Sequence, residues 1–536
     1  MISYYDNLRK LISLIFIVLS FYSISFYEGS KIIFLLFNFL VITLTYYLTN
    51  STSSFFSFFL AFYFFMGYWF KYNFSLIYNN GYVFDSGMSN PPIKIDIDDV
   101  LVNIIFICLV IIFSTYISNK KFYYSKKLIK PKINFFTKVY FKYKYLILSL
   151  FTFTFLYVGL INFRFKLYVK GIFFENEINL LIISFIKWLI LFGFVSMSCY
   201  FLNKESLNKN KKLLLIFLIV FLEIFISYTS MLSRAMVLFG LPFIYTFIFY
   251  EKQKNYFIKY SIIALLFVIF SFFSIIISNK ERTLIINNMK KNIKMNYEEF
   301  KSGNNVSEKD NIKVEQNYID SSKFNFQIDE TKKEKLEKKT DTSQLNKTSL
   351  TENPGNISSP ADAKHMSYFI IINRWVGIDS LINVSRSENL GFDLFFRAFE
   401  EKKSIYGNTF YEKNFGLSEN KKNFYFQNTF MKGNTLPGLV SFLFYTGNLP
   451  FLFISIMLII IFFNFVERKI YFLCDNNLYF VSFISHSIVY RLFSFGYAPA
   501  DTYLFLISII LSVSVIYFLN ISSFDKIFNN LKYTIK

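Results

Sequence analysis

Nine of the 57 basic residues in this chain are arginine, so each arginine marks a position where lysine, the default cation, was not used. Arg234 stands in YTSMLSRAMV, Arg374 in NRWVGIDSLINVSR and Arg491 in SHSIVYRLFSFG, each at or near the edge of an apolar run; Arg386 and Arg397 follow eleven residues apart. A guanidinium offers a planar fork of donors that matches phosphate oxygens bidentately and keeps its charge in a partly dry site. Several of them at one membrane surface fit a phosphate or pyrophosphate ligand. For any single arginine, an ordinary surface ion pair or snorkelling to headgroups is the commoner role; the set, with two members at span ends, favours a site.

Other polar residues lie inside apolar runs, where they are expensive. Glu223 and Lys187 are there, and the two could pair with each other. His486 sits midway along a run without a metal-ligating neighbour at helical spacing, so it is equally a hydrogen-bonded packing histidine. Asp379, five residues after Arg374, is a candidate ion-pair partner for it. Asp96, Asp98 and Asp99 in DIDD could hold a divalent metal, or could start a helix after Pro91 and Pro92. No GxxxxGK[ST] or HExxH motif is present. Cys108, Cys199 and Cys474 lack CxxC spacing and are read as packing residues.

The elements that must position these groups are membrane helices. The chain is 54% hydrophobic and 22% aromatic, with charge-free runs such as LISLIFIVLSFYSISFY, long enough to cross a bilayer. The expected fold is an all-α polytopic membrane protein with about twelve transmembrane helices. The runs lie near 11–27, 32–48, 52–70, 100–117, 145–163, 179–202, 213–230, 236–250, 260–278, 437–465, 478–495 and 501–520. The run 437–465 is long enough to be tilted, or to be broken at Gly447 and Pro450, which would reverse the sidedness of everything after it.

The net charge of +21 comes largely from lysines clustered in alternate short loops, a topological pattern rather than a nucleic-acid footprint. By the positive-inside rule both termini are cytoplasmic, and one large loop, 279–436, faces outward between spans nine and ten. This gives three regions: a bundle of spans one to nine over 1–278, the loop over 279–436, and spans ten to twelve over 437–536. Within the loop, 296–366 is too polar to bury a core and is expected to be disordered; His365 in it has no expected role. Residues 368–422 are patterned as a helical cap, with Trp375, Ile378 and Ile382 on one stripe and Phe392, Phe395 and Phe399 on another.

Around a dozen spans, a large outer loop late in the chain and arginines on that face resemble the O-antigen and oligosaccharide repeat-unit polymerases of the Wzy type, related in architecture to the O-antigen ligases. The local stretches NRWVGIDSLINVSR, LFFRAFEEK, GNTFYEKNFG and GNTLPGLVSFLFYTGN are similar to the large-loop region of bacterial membrane proteins grouped with them.

The resemblance implies a glycosyltransferase of lipopolysaccharide or related polysaccharide biosynthesis in the bacterial inner membrane. It would move a growing glycan from undecaprenyl pyrophosphate to the next lipid-linked repeat unit, without a cofactor. Its implied partners are that lipid-linked oligosaccharide, the bilayer, a chain-length regulator and a flippase. Under it, Arg234, Arg374 and Arg491 neutralise the leaving pyrophosphate, and Arg386 and Arg397 help to bind substrate. Asp379, Glu400 or His486 serves as general base, and Trp375 docks at the interface or stacks on a sugar. Two rivals are a lipid-linked oligosaccharide flippase and a metal-dependent transferase using Asp96, Asp98 and Asp99.

Overall fold

The computed structural model describes residues 2–50, 53–78, 82–83, 93–94, 97–122, 134–170, 179–207, 213–233, 235–250, 257–303, 372, 375–401, 409–415, 437–494 and 499–520. The chain forms two compact units, one of residues 1–285 and 372–536 and a second of 286–371. The aromatic cap residues from 372 onward therefore belong with the bundle, not with the polar tract before them.

The first unit is helical. Its first half contains α1 (Ile2–Ser23), α2 (Lys31–Leu48), α3 (Phe55–Phe64), α4 (Lys71–Tyr78), α5 (Asp98–Phe122), α6 (Phe135–Lys142) and α7 (Lys144–Phe165). Then come α8 (Leu180–Trp188), α9 (Phe194–Leu207), α10 (Leu213–Ser230), α11 (Met236–Tyr250) and α12 (Phe257–Gly303). A two-residue antiparallel pair, Tyr82–Val83 with Ile93–Lys94, precedes α5. Three short helices of the cap follow: α13 (Ile378–Ser385), α14 (Phe392–Phe399) and α15 (Phe410–Phe415). The chain closes with α16 (Gly438–Leu443), α17 (Leu449–Leu473), α18 (Leu478–Val489) and α19 (Pro499–Asn520).

Among the described residues the predicted apolar runs fall mainly on helix. Eight helices among the described residues are long and apolar enough to cross a membrane, and three shorter apolar ones lie over 214–230, 238–248 and 478–493. Their exposed faces are apolar too: Leu146, Leu150, Phe153, Tyr157 and Leu160 form one stripe down α7. Such a stripe is a lipid-facing surface, not a water-facing one. The fold is thus that of an all-α protein built for a membrane.

The run 437–465 is not one element. The six residues of α16 end in a tight turn at Gly447, whose φ of 64° is left-handed and suits glycine. Asn448 then caps α17 by accepting from Phe451 N at 2.9 Å, with Pro450 in the first turn where its missing N–H is harmless. A helix as short as α16 cannot cross a bilayer, so only α17 has the length of a span.

Three helices are interrupted by π turns, at Phe65–Phe70, Leu189–Gly193 and Tyr490–Ser494. The first joins α3 to α4. At its other end, α3 is held by a carboxylate from a neighbour: Glu467 of α17 accepts from Phe55 N at 3.0 Å, Phe56 N at 2.6 Å and Ser485 Oγ at 2.9 Å. An acid beside the free N–H groups of a helix start is a favourable way to bury a charge. Around this joint α17 packs on α5, and α18 on α3 and α11.

Candidate functional site

The cap reaches the bundle at the first π turn. Backbone meets backbone there: a Cβ added to Gly67 would stand 2.3 Å from the carbonyl oxygen of Val376, and one added to Gly377 would stand 2.4 Å from that of Gly67. One helical turn beyond Gly67, the Lys71 ammonium pairs with Asp379 in the first turn of α13 at 2.7 Å. The two side chains are 0% and 2% exposed. Ser380 Oγ lies 2.8 Å from the carbonyls of both Gly377 and Pro437, and 3.0 Å from Ser441 Oγ, which joins the cap to α16. Asp379 is therefore held by Lys71, a partner outside the sequence expectation.

Beside this joint lies a cluster of rings. Tyr63 of α3 shares a 2.6 Å hydrogen bond with His486 Nε2 of α18, and the imidazole is enclosed by Phe59, Phe239 and Tyr490. Trp375 is half-buried against Phe62 and Tyr63, and Tyr490 touches both Tyr63 and Phe239. His486 is fully buried with its Nε2 bonded to Tyr63, while its Nδ1 has no hydrogen-bond partner among the described residues. A lone histidine in a run of aromatic residues carried no signal of its phenol partner; the phenol is on another helix.

Two loops complete the cluster. Asn162 donates to the carbonyls of Tyr168 and Ser230 and accepts from Tyr168 N, tying the end of α7 to the end of α10. Lys170 N donates to Met231 O at 3.0 Å. Arg282 then bridges both loops, its Nε donating to Leu232 O at 2.7 Å and its Nη2 to Lys170 O. The lysine so placed sets its Nζ 3.5 Å from the Tyr490 hydroxyl and 5.3 Å from that ring's centre, within cation–π range. Neither Lys170 nor Arg282 is among the site residues expected from the sequence.

Arg234 and Arg374 lie outside the described residues. Of their described chain neighbours, Trp375 packs on Tyr63, and Ser233 N donates to the carbonyl of Tyr228, whose ring stacks on Phe239; Arg491 follows Tyr490 directly. Val376 and the carbonyl of Phe493 both border Gly438, so the stretch after Arg374 and the stretch after Arg491 are adjacent.

The remaining candidates stand apart. Arg386 is exposed at the end of α13, and partial desolvation lowers its guanidinium pKa from the usual value. Arg397 forms an exposed pair with Asp393 at 3.0 Å, one turn away on α14. Glu400 is exposed at the end of that helix. Glu223 accepts from Ser227 at 2.8 Å rather than from Lys187, whose ammonium faces the Tyr168 ring. Asp98 accepts from Ser30 N at 2.9 Å and from the Tyr27 hydroxyl, while Asp99 is exposed and Asp96 is outside the described residues. Among the described residues no three His, Cys, Asp or Glu side chains converge.

A small cavity lies elsewhere, between α14, α15 and α16, lined by Glu401, Tyr411, Phe442 and Tyr445, with no cationic side chain on it among the described residues. No protein-family model, curated protein or solved structure matches the chain.

Proposed function

We propose that this protein is a membrane glycosyltransferase that polymerises lipid-linked oligosaccharide repeat units on the outer face of the bacterial inner membrane. The bundle has twelve spans in this reading, with both termini cytoplasmic and the cap outside. The observation that supports it is Lys170 over the ring of Tyr490, the residue before Arg491, with Trp375, the residue after Arg374, on the neighbouring Tyr63. Held in a low-dielectric surround, such charges stabilise a departing pyrophosphate far better than they would in water. The transfer forms a bond between an acceptor hydroxyl oxygen and the donor's anomeric carbon and breaks the bond from that carbon to the pyrophosphate oxygen, with the hydroxyl proton passing to a base. Asp379 is committed to Lys71 and His486 to Tyr63, so both act in this reading as positioning groups, and Trp375 forms a wall of the site.

The test is the surface glycan of a strain lacking this gene, complemented with variants. Single capped repeats in place of long chains in the deletion strain support a polymerase. Arg491→Ala and Lys170→Ala are then expected to shorten the chains, with Arg491→Lys intermediate, because lysine keeps the charge but loses the fork. Loss of all repeats in the deletion strain overturns the reading in favour of transport or an earlier transfer.

A further inference from the structure

Helix α14 divides its eight residues among three faces. Leu394, Phe395 and Ala398 are buried, with the Phe395 ring against Phe442 and Phe451. Asp393 and Arg397 pair with each other in the open. The third face is Phe392, Phe396 and Phe399, spaced four and three residues apart on one stripe, with Phe396 62% and Phe392 44% exposed. An acid–base pair beside the exposed Phe392 and Phe396, with Phe399 36% exposed and packed on Phe442, is the pattern of a helix lying in the plane of a membrane interface, with one flank in water and one in hydrocarbon.

The surroundings say what covers the aromatic flank. Phe392 stacks edge-on against Phe451 in the first turn of α17, with ring centres 5.3 Å apart. Below Phe451, Ile454, Leu458, Phe462 and Phe465 form an exposed stripe down the span. α14 also touches α19, whose Tyr503, Leu504, Ile507 and Ile510 are exposed in the same way. The open phenylalanines thus continue the lipid-facing surface of two spans at its margin. We infer that α14 is a membrane-inserted helix whose Phe392, Phe396 and Phe399 enter the acyl chains of one leaflet, while Asp393 and Arg397 stay at the headgroups. The cap is then fixed to the bilayer as well as to the bundle, and this holds whatever reaction the protein performs.

Spin labels at Phe396→Cys and Arg397→Cys, one at a time, test this in vesicles of phosphatidylethanolamine and phosphatidylglycerol. The native Cys108, Cys199 and Cys474 are buried and serve as unlabelled background. An Ile454→Cys label gives the reference for hydrocarbon. Oxygen collides more in hydrocarbon and a water-soluble nickel chelate more in water. The label at 396 is expected to match 454, with a chelate collision rate several-fold below that at 397. Equal chelate access at 396 and 397 would overturn the inference. So would protection of 396 from both reagents with dipolar broadening between labels, which would mean that a second copy of the chain covers this face. Because both substituted side chains are open in the fold, the label reports the native arrangement; an unchanged melting temperature of the Phe396→Cys protein accompanies the expected result.

Discussion

Lys71 and Asp379 close an ion pair that neither water nor lipid reaches, and it joins residues 308 positions apart in the chain. Its two members belong to different layers, one to a bundle helix and the other to the first turn of a cap helix. Burying the pair costs hydration on both sides, which the close contact and the Gly377 N–H donating to Asp379 offset.

Removing one charge therefore takes away the closest contact of the other while it stays buried. Lys71→Met or Asp379→Asn alone is expected to destabilise the protein by about 3–5 kcal/mol. The double variant Lys71→Met/Asp379→Leu should recover most of that loss, since an apolar pair of similar volume carries no hydration debt. Melting temperatures in detergent measure all three; additive losses in the double variant would show that the pair is not the coupling between the layers.

The glycines at the same joint are predicted to be intolerant for a steric reason. At both Gly67 and Gly377 an added methyl group meets a carbonyl oxygen of the opposing backbone, which cannot swing aside as a side chain would. Gly67→Ala and Gly377→Ala should loosen the cap and speed tryptic cleavage after the exposed Arg386. Gly391→Ala is the control, because nothing lies within 4 Å of its added atom and its backbone is extended. Equal cleavage rates in all three variants would count against a close-packed joint.

Arg282 should behave as a positioning residue. Losing its two hydrogen bonds to carbonyls, in Arg282→Ala, is expected to cost on the order of 1.5–3 kcal/mol of stability and to shorten the glycan through Lys170. Arg164, exposed on the last turn of α7, should tolerate alanine. Arg282→Lys reaches one carbonyl at best and should fall between. If Arg282→Ala melts and polymerises like the parent while Lys170→Ala does not, the bridge is dispensable and the lysine is held by other contacts.

The helical class was legible in the sequence because hydrocarbon imposes length and apolarity on every span. Gly447 and Pro450 were legible as a break, since left-handed backbone and a missing N–H both leave marks in residue type. The partners were not. Asp379 reads as an acid near Arg374, and Lys71 reads as a flanking lysine after GYWF; only the fold shows them to be a buried pair. Phe392, Phe395 and Phe399 read as one core stripe, yet Phe395 alone is buried, because the neighbours of α14 lie to one side and the bundle margin is open on the other. Positions 234, 374 and 304–371 lie outside the described residues, and with them most of the tract expected to be disordered; its first residues, 296–303, are instead the end of helix α12.

The π turn at Phe65–Phe70 holds one residue more than the same length of α-helix would. A three-base deletion in the gene, removing any one of these codons, would leave the span just as apolar and nearly as long. It would let that turn close as ordinary α-helix, so that Lys71 keeps its face toward Asp379. The same deletion inside α3 should turn every later residue of the helix by about 100° and part the pair. Hydropathy would register the two alleles as alike.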